Sequence, residues 1–398
     1  MKNKGFIFFM GLSLVVCLGV SCSRQVAKNH KFALYADTLL DSTFKYYKVD
    51  NTNLFNENYP KKEGETVSYL AGADSVRKNK VAYLWPTSGL FSGINALLKA
   101  TGDKKYKDIL ETILLPGLQC YYDTTRTPYC YQSYLAEVGQ SDRFYDDNIW
   151  LGLDFLESYE LTGNALYLAS SEAIWHFLES GRDSILGDGI YWCEQKKFSK
   201  NTCSNAPASV LALKLYTVTG NAVYLKVGKE LYHWTKDNLQ DPSDELYFDN
   251  IMPDGKVDKT KFQYNSGQML QAAALLYKIT GEPQYLEAAQ KLAQACSDYF
   301  FIECKIDGNT FRTLKNGNIW FVAIMLRGFE ELYHVDKNPQ YLNNFMATLE
   351  YMWNHNRNVN KLFEDERFIV NTSNVKDHKW LLTQAAMIEM YARLSILK

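Results

Sequence analysis

The sequence lacks an excess of charge of either sign. Its 398 residues include 43 Lys and Arg and 45 Asp and Glu, which gives a net charge of −2. Proteins that bind nucleic acid usually carry a basic patch or stripe, and no long basic run occurs here. The composition therefore argues against nucleic acid as a partner.

Metal-binding motifs are also missing. The 6 His show no ligand spacing and no Cys-x-x-Cys occurs, so we expect no metal site and no other cofactor. Beyond residue 22, six Cys fall into three close pairs, and local disulfides suit that spacing if the chain is exported. Buried free thiols are the alternative. The pairs are Cys120 with Cys130, Cys193 with Cys203, and Cys296 with Cys304.

The one extended apolar run opens the chain. Lys2 and Lys4 precede the run from Phe6 to Val20, which is short for a membrane span but typical of an export signal. The run ends just before Cys22, in a context that resembles a bacterial lipoprotein signal. We therefore expect a signal peptide at 1–21, lipidation of Cys22 and a tether at 22–30. The expected location is the periplasmic face or the surface of a Gram-negative, Bacteroidetes-like cell, and ordinary secretion with full release is the alternative.

A short motif recurs along the rest of the chain. Thr-Gly-x-x-x-Tyr occurs at 101–106, 162–167, 219–224 and 280–285, with a weaker copy at 336–341. The copies are 56–61 residues apart, which indicates a repeated structural unit. Gly after an apolar helical run ends a helix, and Asn, Asp or Pro often begins the next one. Each copy therefore predicts a tight turn between two antiparallel helices.

The turns divide the chain into six pairs of helices. Helices are predicted before the turns at about 86–101, 146–161, 204–219, 264–280 and 318–335, and after them at about 103–115, 164–181, 221–238, 282–300 and 338–355. Helices at 31–47 and 380–397 complete the pairs. The small residues of the first set suit an inner ring. We therefore predict an all-α fold, a closed α/α barrel of about twelve helices in one domain at 31–398, with an open helical solenoid as the alternative.

Asp146 and Asp147 begin a predicted inner helix on the face that carries the long connections. Asp is a common helix cap, but a single Asp satisfies that need. Two adjacent carboxyl groups can also supply the acid and the nucleophile for hydrolysis of a glycosidic bond, because their repulsion raises one pKa. The other inner helices begin with Asn, Gln and aromatic residues, which suit a neutral oligosaccharide.

The stretch 145–150, Tyr-Asp-Asp-Asn-Ile-Trp, resembles the Tyr-Asp-Asp-x-x-Trp hallmark of glycoside hydrolase family 76, the α-1,6-mannanases. The stretches 189–192, 200–205 and 264–268 resemble further parts of that family. The resemblance implies an α/α-barrel enzyme that cleaves internal α-1,6-mannosidic bonds of yeast-type mannan with retention.

The same resemblance implies roles for individual residues. Asp146 would be the nucleophile and Asp147 the acid/base. The implied partner is α-1,6-mannan or its oligosaccharides, bound by a monomer that touches the membrane only through its lipid. The implied substrate-binding residues are Tyr145, Trp192, Asn205, Tyr264, Asn265, Gln268 and Trp320.

Two other functions remain open from the sequence. Another α/α-barrel carbohydrate enzyme, such as an unsaturated-glucuronide hydrolase, would need Arg or Lys near its acidic substrate, and the helix starts do not show them clearly. A non-catalytic glycan-binding lipoprotein would use the aromatic residues but would have no need of the Asp pair.

Overall fold

The computed structural model describes residues 31–397 except 63, 65, 68–76, 307, 365–366 and 369–376. The expected signal peptide, tether and lipidation site at Cys22 lie outside the described residues. The described part of the chain forms twelve helices, which we number in chain order, and several short strands. No helix in it is both long enough and apolar enough to cross a membrane.

Six helices form the inner ring of a closed barrel. Each inner helix packs against the next along the chain, and the last packs against the first. This closure confirms the predicted α/α barrel and excludes the open solenoid. The inner helices are α2 (Leu84–Thr101), α4 (Tyr145–Thr162), α6 (Thr202–Thr219), α8 (Gln263–Thr280), α10 (Ile319–Asp336) and α12 (Leu381–Ser395).

The other six helices surround this ring. One of them, α3, contains a π-helical turn between two α-helical segments and runs further than the sequence predicts. The outer helices are α1 (31–47), α3 (Lys104–Ile109, Leu110–Leu114 and Leu115–Gln119), α5 (Ala165–Glu179), α7 (Ala222–Leu239), α9 (Pro283–Phe300) and α11 (Gln340–His355).

The repeated motif forms the turns as predicted. Gly163 ends α4 with φ 69°, in the left-handed region where a side chain would be strained, and its N–H donates to the carbonyl of Tyr159. Asn164 then begins α5, where its side chain accepts a hydrogen bond from the Leu166 N–H. The weaker copy has Lys337 in the same conformation, with φ 59°.

The Tyr of each copy joins neighbouring outer helices. Its hydroxyl group meets a polar side chain of the preceding outer helix, so the same residue serves the same contact around the ring. This contact explains why the motif includes a Tyr at a fixed distance from the turn. The pairs are Tyr106 with Asp37, Tyr167 with Glu111, Tyr224 with Glu172, Tyr285 with His233 and Tyr341 with Gln294.

Small residues allow the inner helices to approach closely, as the sequence predicts. A Cβ added to Gly267 on α8 would lie 2.4 Å from Cα of Met325 on α10. A Cβ added to Gly328 would lie 2.2 Å from the carbonyl oxygen of Gly267. Real Cβ atoms do not make such contacts, so any larger residue would force these helices apart.

The barrel has two unlike ends. The inner helices begin at one end, which we call the loop face, and finish at the Thr-Gly turns of the other, which we call the turn face. Long connections cross the loop face and carry short strands, and 301–314 forms a β-hairpin that the sequence does not predict. The strands are Asn58–Tyr59, Thr66–Val67, Arg77–Lys78, Tyr122–Asp123, Cys130–Tyr131, Lys200–Asn201, Asn250–Ile251, Val257–Asp258, Phe301–Ile306, Asn309–Leu314 and Lys379–Trp380.

The three expected disulfides are absent from the described residues, where all six cysteines are free thiols. The two cysteines of a pair contact different residues. Their closeness in sequence therefore does not predict a disulfide. Cys193 contacts the side chain of Gln195, whereas Cys203 contacts Asp146. Cys120 contacts the carbonyl of Pro116, on the exposed side of α3. The alternative of unpaired thiols is therefore the one the structure supports.

Candidate active site

Asp146 and Asp147 lie in the first turn of α4, on the loop face. The N-cap residue is Phe144, and no side chain caps this helix within the described residues. Both Asp side chains are partly exposed. The pair is therefore not used as a conventional cap, and it remains within reach of a molecule that approaches the loop face.

Asp146 accepts three hydrogen bonds. The indole Nε1–H of Trp192 donates to Oδ2 at 3.1 Å, and the Cys203 thiol donates to the same oxygen at 3.3 Å. The other oxygen, Oδ1, accepts the backbone N–H of Asp147 at 3.1 Å. Burial raises the pKa of Asp146 to about 6, while these donors oppose the rise because they stabilise the charged form.

Asp147 has a different environment. Among the described residues no donor reaches its carboxyl group. Burial raises the pKa of Asp147 well above its ordinary value, and the charge of Asp146 raises it further. The donors therefore favour the charged form of Asp146, and the charge of Asp146 favours the protonated form of Asp147.

The connection 180–201 places Trp192 over the pair. The carbonyl of Trp192 accepts the N–H of Tyr145, and the N–H of Glu194 donates to the carbonyl of Arg143. Arg143 is buried, and its guanidinium group pairs with Glu194 and donates to the carbonyls of Arg126 and Pro128. One arginine thus joins two connections of the loop face and fixes the backbone that carries Trp192.

Aromatic rings cover the loop face beside the pair. Tyr264 and Phe321 stack with ring centroids 4.1 Å apart, and both are partly exposed. Trp320 lies beneath them, where it is buried and contacts Trp85 and Trp150 edge to face. Trp150 is 2% exposed and therefore packs inside the barrel. The exposed rings form a flat apolar surface of the kind that packs against the C–H face of a sugar.

Two of the residues proposed from the resemblance are buried within the fold. Tyr145 is buried, its ring stacks on Phe177 and it packs closely against Gly181. Asn205 is fully buried, and its amide group pairs with both backbone groups of Ile190 and with the carbonyl of Asn201. Substrate contact of these two residues stays a prediction, and their burial within the fold argues against it.

Three other residues have polar atoms without a partner among the described residues. Asn265 donates to Asp249 but its Oδ1 is unpartnered, and Gln268 donates to Gln271 but its Oε1 is unpartnered. The buried indole Nε1 of Trp320 is also unpartnered. All three lie in the first two turns of inner helices. Buried polar atoms usually have partners, so donors and acceptors left open at one end of the barrel suit a ligand rich in hydroxyl groups.

Sequence reasoning missed three residues of this site. Arg143 and Cys203 position the pair and its neighbours, and Asp249 is a third carboxyl group on the loop face, with a pKa raised by burial. Asp249 accepts hydrogen bonds from Asn250 and Asn265. Cys203 directly precedes Ser204 at the start of the inner helix α6. Its place at the start of an inner helix was the feature of the sequence that could have identified it as a residue of this site.

A sequence model of glycosyl hydrolase family 76 matches residues 33–394. The chain belongs to this family. The match spans nearly all of both rings of the barrel, and it includes the Asp pair and the other residues of the candidate site.

Solved structures of family members share this fold. A family 76 mannosidase from Bacteroides thetaiotaomicron superposes with a TM-score of 0.85 at 32% identity, over 92% of this chain and 98% of that one. An α-1,6-mannanase from Salegentibacter sp. HEL1_6 superposes with a TM-score of 0.72 at 26% identity, over 92% of this chain and all of that one. The latter was inactivated by changing two consecutive Asp to Asn and holds α-1,6-mannotriose.

Curated fungal proteins are more distant. The mannan endo-1,6-α-mannosidase DFG5 of Saccharomyces cerevisiae is 24% identical over 275 residues, which cover 61% of this chain and 57% of the yeast protein. The chain thus spans little more than half the length of this curated relative.

Proposed function

We propose that this chain is a retaining hydrolase of α-1,6-mannosidic bonds, with Asp146 as nucleophile and Asp147 as acid/base. The observation that carries the proposal is the unequal pair: Asp146 accepts three hydrogen bonds, whereas Asp147 accepts none from the described residues and has its pKa raised by burial and by the charge of Asp146. A retaining glycosidase needs such a carboxylate and carboxylic acid on the two sides of the scissile bond.

The pair acts in two steps. In the first, an oxygen of Asp146 bonds to the anomeric carbon, the glycosidic bond breaks, and the Asp147 proton passes to the leaving oxygen. In the second, water gives a proton to Asp147 and bonds to the anomeric carbon, which releases the Asp146 carboxylate. Two displacements on one carbon restore its original configuration.

The groups around the pair favour a neutral sugar. The contacts of Asp146 are an indole, a thiol and a backbone amide, and no cation among the described residues pairs with either carboxyl group. Tyr264 and Phe321 supply a stacking surface, while Asn265, Gln268 and Trp320 have open polar atoms. The bound α-1,6-mannotriose of the Salegentibacter relative supports an α-1,6-mannoside, and the endo-mannosidase name of the yeast relative supports endo action.

The proposal extends to location and assembly. We infer that the chain is exported with a signal peptide at 1–21, lipidated at Cys22 and active as a monomer without a cofactor. Mass spectrometry of the mature N-terminus tests the lipid: a diacylglyceryl group on Cys22 is expected, and an unmodified chain cleaved at another residue would refute it.

Product analysis with unbranched α-1,6-mannan tests the activity. Manno-oligosaccharides of mixed length are expected from endo action, and proton NMR should show the α-anomer first because the configuration is retained. Mannose alone would contradict endo action, an initial β-anomer would contradict retention, and no product from the folded protein would refute the substrate.

Substitutions of the pair test the assigned roles. Asp147→Asn should lower kcat/KM by about 10²–10⁴-fold, the usual contribution of a general acid or base. Asp146→Asn should lose at least as much, because no covalent intermediate can form. Asp154→Asn on the same helix is a matched control that should remain active. Both pair variants should still bind mannotriose in calorimetry, and full activity in both would show that the pair is not catalytic.

A further inference from the structure

The two oxygens of Asp146 are held differently. Oδ2 accepts two side-chain donors, the Trp192 indole at 3.1 Å and the Cys203 thiol at 3.3 Å. From the described part of the chain, Oδ1 accepts only the N–H of the adjacent Asp147. A carboxylate oxygen with two side-chain donors has little electron density to offer an electrophile, so the two oxygens are chemically unequal.

The Cys203 thiol is itself held in place. It is 2% exposed, at the start of α6, so the helix sets its position. Its hydrogen bond to Oδ2 directs the thiol proton at that oxygen.

We propose that Cys203 is a positioning residue: with Trp192 it holds Oδ2 of Asp146, so that Oδ1 is the atom that bonds to the anomeric carbon. This inference rests on the proposed function, since it concerns the same nucleophile. It also gives the thiol a role other than nucleophile or disulfide partner. Burial raises the pKa of Cys203 well above its ordinary value, so the group remains a thiol and can donate.

The donors also explain the division of roles within the pair. Hydrogen bonds to a carboxylate favour its charged form. Asp146 has these donors and Asp147 has none among the described residues, so the first of the two to ionise is Asp146. Without the thiol, the difference between the two groups should become smaller, and Asp146 should stay protonated to a higher pH.

The pH dependence of kcat/KM tests the role of Cys203. Activity should fall below pH 6 in the wild type, as Asp146 becomes protonated. Cys203→Ala should move this acid limb to higher pH by roughly half to one unit, which is threefold to tenfold less activity at pH 5. Cys203→Ser keeps a donor and should restore most of the wild-type limb. Cys296→Ser replaces a buried thiol of the outer helix α9 and should leave the profile unchanged.

A merely structural role for Cys203 would lower activity equally at every pH, and Ser would not rescue the acid limb. Either outcome would overturn the proposal.

A trapped intermediate tests the choice of oxygen. A 2-deoxy-2-fluoro-α-mannosyl fluoride should form a stable ester with Asp146, and a crystal structure should show it on Oδ1 with the Trp192 and Cys203 contacts intact. An ester on Oδ2 would overturn the inference but leave the proposed function standing. An ester on another residue, or none with an active enzyme, would refute Asp146 as nucleophile and so the proposed function.

Discussion

The two ends of the barrel both bury carboxyl groups, yet they shift the pKa of those groups in opposite directions. On the loop face, burial raises the pKa of both Asp146 and Asp147. Toward the turn face, the charge of Arg393 overcomes the same burial and lowers the pKa of Glu157 to about 2 and that of Glu330 below its ordinary value. Burial alone therefore does not decide the charge of a carboxyl group in this protein.

Nearby cations explain why the pKa values of the buried carboxyl groups differ between the two ends. Arg393 Nη2 lies 3.0 Å from Glu157, its Nη1 lies 3.3 Å from Glu330, and its Nε lies 2.6 Å from Glu389. Arg327 contacts the same oxygen of Glu389 at 2.6 Å. The two arginines, Glu157 and Glu330 border a polar cavity of about 210 Å³ at the turn-face ends of the inner helices. This end is a network of paired charges that joins helices, and it keeps Glu157 and Glu330 ionised near neutral pH.

Helix starts show the same contrast. Toward the turn face, the outer helices α3, α5 and α7 are capped by Asp103, Asn164 and Asn221. Of the six inner helices, which start on the loop face, only α10 has a side-chain cap within the described residues, from Asn318. Side-chain caps are therefore more frequent at the helix starts of the turn face than at those of the loop face.

The largest expected effect comes from removing a cation toward the turn face. Arg393→Met removes a partner from the buried carboxylates of Glu330 and Glu389 and from the partly buried Glu157. Breaking buried pairs in this way typically costs 3–5 kcal/mol of unfolding free energy. Urea denaturation measures it. Lys226→Met, which removes an exposed pair with Glu230, should cost less than about 1 kcal/mol.

The activity of Arg393→Met tests whether the two ends of the barrel have separate roles. The kcat/KM of folded Arg393→Met at 25 °C should be close to that of the wild type, because the network is at the other end from the Asp pair. A large loss of kcat/KM with little loss of stability would contradict the division of the barrel into a structural and a catalytic end.

Asp154 lies between the two ends of the barrel. It therefore tests whether a nearby cation decides the charge of a buried carboxyl group. It is buried, its Oδ2 accepts the Ser92 hydroxyl at 2.7 Å, and burial raises its pKa to about 8 despite the charge of Arg327. The pKa of Asp154 is higher in the folded state than in the unfolded state, where it is about 4. Its contribution to the unfolding free energy is therefore complete below about pH 4 and is lost as the pH rises to about 8.

Asp154→Asn should therefore remove this pH dependence of the unfolding free energy, and it should lower stability little at low pH. Between pH 5 and 8 the unfolding free energy of the wild type should fall, relative to the variant, by up to about 1.4 kcal/mol per pH unit. Urea denaturation of both proteins at pH 5, 6.5 and 8 measures the difference. Parallel dependence in the two proteins would show that Asp154 is already ionised in the folded state.

The contrast between the ends also separates what the sequence could predict from what it could not. The turns were predictable because Thr-Gly-x-x-x-Tyr acts locally. Its Gly adopts the left-handed conformation, and the next residue caps the following helix by accepting the N–H of the residue two positions later, as Asn164 does with Leu166. The pair Asp146 and Asp147 was predictable because the two residues are adjacent. The contact of Cys203 with Asp146 spans 57 positions, and that of Arg393 with Glu157 spans 236. Contacts over such distances follow from closure of the barrel, which no local pattern encodes.

Tyr145 and Asn205 show the limit of reasoning from a motif. Both lie within stretches that resemble the family, yet one packs on Phe177 and the other binds the backbone of Ile190. A shared motif identifies positions that matter, but it does not say which of them face the substrate. That distinction depends on burial and on the partners of each polar atom.

The smallest expected effect concerns a single cap toward the turn face. Asn221 begins α7 by accepting the Val223 N–H at 3.1 Å, and it follows Gly220, whose φ is 69°. Asn221→Ala should lower the unfolding free energy by about 1 kcal/mol, the usual cost of losing a side-chain cap. Asn221→Asp keeps the acceptor at a helix N-terminus and should cost less than Ala in urea denaturation. Because the cap is remote from the pair, kcat/KM should not change in either variant; equal losses of stability in Ala and Asp would instead assign the effect to the amide N–H₂ group.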